Sequence, residues 1–382
     1  MSFEIATEIL AFLFASNFYA NAAVFGIAIF LICLYLNNWC VEKSVSLGFI
    51  LIAGVSYFFI YSINYGFPPI RVLFSRMIGP IVLFISGNIV GKHSERKLGD
   101  YSLIIAFGMA FHGVLNMLCN RNSDIISTVG RGMKDVWGGV IAATGQNLLM
   151  AMITALLFYF CFCCENKKLK VVGLISVALS IVGTFTNGSR TLLYIVTISF
   201  GCMTVYYCIK AKSVTQKMKI VMTILLVVCV GILALATNFM GVSDWINSSG
   251  LFMRYAGNMT HMMTQTGRSN LSEYVIEHFW EYPLGKMPTS NYAHNLWLDI
   301  DIEVGWIPML MHILFCIAAV VNIIKYGIVK RDSTDRQILM LSLFIAMLLE
   351  FFVEPILMGN PYFYMCFCFI TGGIVARNRS AI

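Results

Sequence analysis

One imidazole and a handful of arginines carry the chemistry this chain is best equipped to do. His294 stands in the stretch Asn-Tyr-Ala-His-Asn-Leu-Trp-Leu-Asp-Ile-Asp-Ile-Glu-Val-Gly, where a group that titrates near neutral pH can take a proton from a hydroxyl nucleophile. A lone histidine also serves structure, and His93, His112 and His312 read that way. Arg190 follows a small-polar turn, Arg254 and Arg268 lie in a long polar segment, and Arg121 and Arg131 lie in an earlier one. Guanidinium groups stay charged and grip phosphate oxygens through paired hydrogen bonds. Converging guanidinium groups therefore suit an anionic phosphate ligand, whereas scattered ones are ordinary loop residues. Asp299 and Asp301 could hold a divalent cation, but a two-residue acidic spacing is weak evidence, and His261, His278 and His294 match no zinc spacing.

The elements that position these residues are set by composition. Of 382 residues, 59% are hydrophobic and 12% charged, with a mean hydropathy of +0.79. A soluble domain has roughly 45–50% and 25%, so a water-soluble globule is excluded. The pattern predicts an all-α, polytopic transmembrane helical bundle. Apolar runs near 18–36, 46–63, 70–90, 100–118, 140–163, 171–187, 191–209, 220–240, 304–324, 337–353 and 362–376 give about 11 spans, with 10–12 as the range. Residues 1–17 read as a surface or tilted segment, and the first span as the targeting signal. Nine of the 12 cysteines sit in apolar runs, Cys33 and Cys366 among them, and read as small hydrophobes rather than a disulfide framework.

Charge gives the sidedness. Seventeen of the 26 basic residues fall in alternate loops and at the C-terminus, from Lys43 and Lys92 to Arg377 and Arg379. The positive-inside rule makes that face cytoplasmic and, with eleven spans, puts the N-terminus outside. The net charge of +7 is thus spread over loop ends and is no nucleic-acid signature. Short inner loops leave no room for a nucleotide-binding domain, and no G-x-x-x-x-G-K-[ST] occurs. The division is 1–240 (eight spans and short loops), 241–303 (a long outer-face loop carrying short amphipathic helices) and 304–382 (three spans and a cytoplasmic tail).

Within the outer loop, Asn270 and Glu273 resemble a capping box. Leu271, Tyr274, Val275, Phe279 and Tyr282 then recur at helical spacing until Pro283 and Gly285, and Glu273, Glu277 and Glu281 fall on another face. This predicts a helix along the membrane interface, or a small soluble cap. Arg76 and Glu350 lie at depth near the outer ends of their runs, where an ionisable group needs a partner; an Arg76–Glu350 pair is expected. Arg71, beside Pro68 and Pro69, reads as an interface anchor. Tyr282, Tyr292, Trp297 and Trp306 could stack on sugar rings or anchor the protein at the headgroups.

Three stretches resemble the O-antigen polymerase and O-antigen ligase superfamily, the Wzy-type enzymes of bacterial surface polysaccharide assembly. The first is Thr186-Asn187-Gly188-Ser189-Arg190-Thr191. The second is Thr266-Gly267-Arg268 followed by Trp280, Pro283, Leu284 and Gly285. The third is His294-Asn295, then nine residues, then Gly305. Pro308 replaces the final glycine of the third motif, which bears on how the next helix starts. Gly201, eleven residues after Arg190, weakly matches an Arg-x₁₀-Gly pattern. The matching covers about 187–308, under a third of the chain.

The resemblance implies a multi-pass protein of the bacterial cytoplasmic (inner) membrane whose site faces outward. It would transfer oligosaccharide repeat units from an undecaprenyl-pyrophosphate donor into O-antigen, capsule or exopolysaccharide. His294, Arg190 and Arg268 would be catalytic, with Arg254, Arg131, Asn295, Arg76 and Tyr292 binding substrate. The transfer would invert the anomeric centre, with no cofactor or metal, since arginine can hold the leaving pyrophosphate. Partners would be the lipid-linked oligosaccharide, the bilayer, a chain-length regulator and a flippase, with no nucleic acid. Two alternatives stay open: a ligase passing glycan to a lipid core or protein, and a flippase or transporter of the lipid-linked sugar, against which the absence of two related halves counts.

Overall fold

The computed structural model describes residues 3–37, 41, 43–93, 95–120, 132–211, 213–252, 267–289, 292–328 and 334–379. It is 83% helical, an all-α polytopic bundle. Its long helices are α1 (Phe3–Ala15), α2 (Ala22–Leu36), α3 (Val45–Tyr65), α4 (Ile70–His93), α5 (Glu95–Asn120), α6 (Ala143–Cys163), α7 (Lys167–Asn187), α8 (Arg190–Lys210) and α9 (Val214–Ala236). Three shorter helices follow, α10 (Val242–Ser248), α11 (Gly267–Glu277) and α12 (Leu296–Val304), and α13 (Trp306–Ile328), α14 (Thr334–Phe351) and α15 (Pro361–Arg379) complete the bundle. Among the described residues, eight helices are long and apolar enough to cross a membrane: α3 to α9 and α13. Helix α2 has 15 residues, and α14 has 18 residues that include Asp335, Arg336 and Glu350.

The centre is built on glycine. A Cβ on Gly87 would lie 1.8 Å from the carbonyl oxygen of Phe369, one on Gly372 would lie 2.0 Å from that of Phe84, and one on Gly91 would lie 2.4 Å from that of Gly373. Gly87 and Gly91 share one face of α4, so its backbone lies directly on that of α15. Without water to drive association, this close van der Waals packing is what holds helices together in lipid. Asn88 adds an amide bond to the Gly372 oxygen at 3.3 Å. Residues 363–376 of α15 are accordingly buried throughout. At the other extreme α9 buries only Ile220, and its aliphatic side chains cover the periphery.

The N-terminal segment differs from expectation. Residues 3–15 form a helix whose Phe14 is fully buried, part of the bundle rather than a surface attachment. It runs parallel to α5. Tyr101, near the start of α5, donates to the Thr7 hydroxyl; Phe12 meets Phe111 at 5.5 Å; beyond the end of α5, Trp137 Nε1 donates to the Ser16 oxygen at 2.8 Å. The chain therefore begins at the basic end of the bundle, where α4 passes to α5, and not at the opposite end as eleven spans required. The apolar run 9–36 was too long for one helix because it holds a corner, with left-handed Asn17, Tyr19 and Ala20 at φ 48, 50 and 58°.

A second difference is a two-stranded antiparallel ribbon, β1 (Gly132–Lys134) with β2 (Val140–Ala142), in register Met133 to Ile141. Gly138 and Gly139 turn it at φ 104 and 87°, values that favour glycine. Asp135 pins it to the bundle through His112 Nε2 at 3.1 Å and the Trp137 N–H at 2.8 Å. The amphipathic segment also shifts: α11 begins at Gly267, so Asn270 lies inside the helix rather than capping it, and the helix ends at Glu277, which removes Glu281 from the face of Glu273 and Glu277.

Gly87→Val should force α4 off α15 and lower stability by about 1–3 kcal/mol, the usual cost of overpacking. The measurement is the thermal midpoint of the detergent-purified protein; an unchanged midpoint would refute the close backbone contact.

Candidate functional site

His294 sits in the loop that leads into α12. Asn295 caps that helix, its side-chain oxygen accepting from the N–H of Trp297 at 3.0 Å and of Leu298 at 3.3 Å, the job asparagine does best at this position. His294 itself is left-handed, with φ 56°. A non-glycine residue there is strained by roughly 1–3 kcal/mol, and such strain persists only where the surroundings impose it. The imposing group is Asp299. It is buried, and its Oδ1 accepts from the Ala293 N–H at 2.7 Å, with further backbone bonds from His294 and Asn295. Asp299 thus holds the backbone that presents the imidazole.

The far end of α12 is held as firmly. Glu303 accepts from both Arg76 and the Tyr57 hydroxyl, so Arg76 pairs with Glu303 and not with Glu350 as expected. The two prolonged backbone contacts beside it explain two motif glycines. A Cβ on Gly305 would lie 2.2 Å from the Pro283 oxygen, and one on Gly285 would lie 2.4 Å from the Val304 nitrogen; both residues have positive φ, 77 and 73°. The Pro-Leu-Gly segment therefore lies flat on the α12–α13 junction, and Asn64 of α3 donates to the Leu284 oxygen at 2.6 Å.

A buried carboxylate faces the imidazole from the link after α14, beyond hydrogen-bond distance, and neither facing atom has a hydrogen-bond partner among the described residues. His294 Nδ1 is 3.8 Å from Glu354 Oε2, and Glu354 is 1% exposed. Glu350, one turn earlier, is fully buried, and neither of its carboxyl oxygens has a hydrogen-bond partner among the described residues. Trp297 packs edge-on to Phe351 and Phe352 at 6.0 and 6.1 Å, fastening the start of α12 to the same helix end.

Arg190 approaches that end of α14 from another side. It opens α8 after the αL residue Gly188, φ 66°, which caps α7. A cleft of about 340 Å³ is lined by Arg190, Thr191, Tyr194 and Ile198 from α8 and by Leu349 and Val353, which flank Glu350 and precede Glu354. Beside it, Asn187 Nδ2 and Ser189 Oγ are buried without partners among the described residues, and the Ser189 side chain makes no cap to α8. A guanidinium, an amide, a hydroxyl and the positive end of a 21-residue helix make a site suited to an anion. The segment after α10 reaches this turn too, since a Cβ on Gly250 would lie 2.7 Å from the Thr186 oxygen.

The remaining expected residues divide. Arg268 lies on α11, with only its backbone described, and Arg131, Arg254, Arg121 and His261 fall outside the described residues. Tyr292 is exposed two residues before His294. Tyr274 and His278 stack on each other at 4.2 Å. Asp299 is spent on backbone amides, and among the described residues no group of three or more His, Cys, Asp or Glu side chains is placed to hold a metal ion. The sequence reading missed Glu354 as the imidazole's neighbour, Asp299 as its clamp, and Asn187 and Ser189 as buried polar groups. Only Asp299 left a local trace, an acid four residues after Asn295 in the first turn of a short helix.

No protein-family model and no curated protein matches the chain, so the functional reading rests on this geometry.

Burial pushes the carboxyls of Asp299 and Asp301 up to about 7, in Asp299 against the opposing pull of the Ala293 N–H and the His294 charge. Unfolded aspartate titrates near about 3.9. Between those values the folded chain binds more protons, so stability should fall as pH rises from about 4 and level off above about 7. Asp301→Asn, which replaces a buried acid with no hydrogen-bond partner for either oxygen among the described residues, should flatten that slope in thermal melts taken across this range. An equal slope in the variant would remove Asp301 from the account.

Proposed function

We propose that this chain is a polyprenyl-pyrophosphate-dependent glycosyltransferase that polymerises oligosaccharide repeat units at the outer face of a bacterial cytoplasmic membrane. The single observation that supports the reading is that one stretch of chain, residues 349–354 at the end of α14, borders the anion-suited cleft of Arg190 through Leu349 and Val353 and faces the His294 imidazole through Glu354. Leaving-group binding and proton removal are the two tasks such a transfer sets.

The donor's pyrophosphate binds at Arg190, the α8 amide end, Asn187 and Ser189, with Arg268 as the second guanidinium that the resemblance assigns to it. The acceptor hydroxyl lies against His294. As its oxygen bonds to the anomeric carbon, the carbon–oxygen bond to phosphate breaks, and the electron pair departs with the pyrophosphate, whose growing charge the guanidinium groups stabilise. The hydroxyl proton passes to His294, and Glu354 stabilises the imidazolium so formed. Attack opposite the leaving group inverts the anomeric centre. Arg76 serves this site through Glu303 and the seating of α12, and Asn295 serves it as the helix cap.

In this reading the basic end of the bundle is cytoplasmic. Helix α1, rising beside α5, adds a crossing to the eleven read from the apolar runs and brings the N-terminus to the cytoplasmic side with the C-terminus.

Cells carrying His294→Ala or Arg190→Ala should insert the protein normally yet lose long polymer by about 100-fold or more, the usual contribution of a general base or a charge-stabilising donor. Single lipid-linked repeat units should accumulate on the outer face. Wild-type polymer lengths in both variants would refute the assignments, and accumulation on the inner face would favour a flippase.

A further inference from the structure

At the basic end of the bundle, opposite the candidate site, a cleft of about 390 Å³ opens between α3, α13 and α15. Its polar lining is Ser44, Ser46, Asn322, Lys325, Asn378 and Arg379, with no carboxylate among the described residues. The cleft is held open by its own hydrogen bonds. Asn378 Nδ2 donates to the backbone and side-chain oxygens of Asn322 at 2.7 and 3.2 Å, which locks α15 to α13. Arg379 donates to the Lys43 oxygen, which ties the end of α15 to the approach of α3. Three helix ends are thus fixed around a space instead of closing it.

The charged groups that line the space are both positive. Helix α3 begins there, with Ser44 Oγ accepting from the Leu47 N–H at 3.0 Å, while the amides of Val45 and Ser46 have no helical carbonyl to meet. Lys325 and Arg379 add two full charges. Val375 is buried at the floor of the cleft, and beside the rim the surface turns apolar at Val321, which is 45% exposed on the outside of the bundle. A positive rim continuing into an apolar, outward-facing wall suits a molecule with an anionic head and hydrocarbon tails better than a free ion. Basic clefts between helices at this level are the usual seats of acidic headgroups.

We propose that this cleft binds the phosphate of an anionic phospholipid from the leaflet at the basic end of the bundle. Lys325 and Arg379 hold the phosphate oxygens, the α3 amides complete the contact, and the acyl chains run along Val321. The site is separate from the glycan-transfer reading and stands whether or not that reading does.

The test uses the full-length purified protein in mixed micelles of phosphatidylglycerol and phosphatidylcholine, with lipids that stay bound counted by native mass spectrometry. Phosphatidylglycerol should be retained in preference. Lys325→Gln and Arg379→Gln should each reduce that retention about fivefold, the worth of one basic residue near an acidic lipid surface, and Lys325→Arg should preserve it. Both side chains are exposed, and an unchanged thermal midpoint in each variant verifies folding. Equal retention of the two lipids, or undiminished retention in the glutamine variants, would overturn the proposal. Saturable binding of inorganic phosphate with no lipid retained would overturn the lipid assignment in favour of a free-anion site.

Discussion

Glu303, gripped by Arg76 and the Tyr57 hydroxyl, is the contact on which the end of the bundle that carries His294 depends. Arg76 and Glu303 are only 16% and 15% exposed as side chains, and removing one member of a pair buried to that degree costs about 3–5 kcal/mol because the other is left uncompensated. The pair sits at the C-terminal end of α12, a nine-residue helix too short to hold itself in place. With Glu303 seated against α3 and α4, and Gly305 pressed on Pro283, that helix becomes a rigid bracket. Its other end presents His294. An imidazole that must stand 3.8 Å from Glu354 gains its position from a bracket anchored several turns away.

The site built on this bracket departs from the rules that the rest of the chain obeys. Among the described residues the bundle interior leaves scattered hydroxyls without partners, Ser180, Ser199 and Ser342 among them. The end of α14 differs in kind: beside a left-handed His294, the buried carboxyl oxygens without hydrogen-bond partners among the described residues, on Asp299, Asp301, Glu350 and Glu354, all belong to α12 and to this end of α14 and the link after it. Local rules are broken where function requires it. The gathering of these four carboxyls around one helix end supports a binding or catalytic centre there more strongly than any one residue does.

Much of the bundle was legible as sequence because a bilayer demands long apolar helices, and α3 to α9 and α13 answer that demand directly. The 187–190 turn and the His294 loop were legible because residues that do chemistry stood out against an apolar background. Three features were not. The corner at Asn17–Ala20 carries no proline or glycine, so residues 1–17 read as a surface or tilted segment ahead of one span. Arg76 was matched by depth to Glu350, and only the packing of α12 under the Pro-Leu-Gly segment brings Glu303 to it. Gly87 and Gly91 do form a G-x-x-x-G pair, but in a chain with 30 glycines the spacing says nothing about which helix it faces until Gly372 and Gly373 are seen opposite.

The central claim, that this helix end joins sugars using a lipid pyrophosphate as the leaving group, is tested most directly by reconstitution. Purified protein in nanodiscs would be given a radiolabelled, undecaprenyl-pyrophosphate-linked repeat unit without nucleotide, and products resolved by length. The account predicts a ladder of multiples with undecaprenyl pyrophosphate released in step, both lost when His294 is replaced by alanine. Intact starting material with the wild-type protein, or translocation of the labelled lipid with no new glycosidic bond, would contradict it.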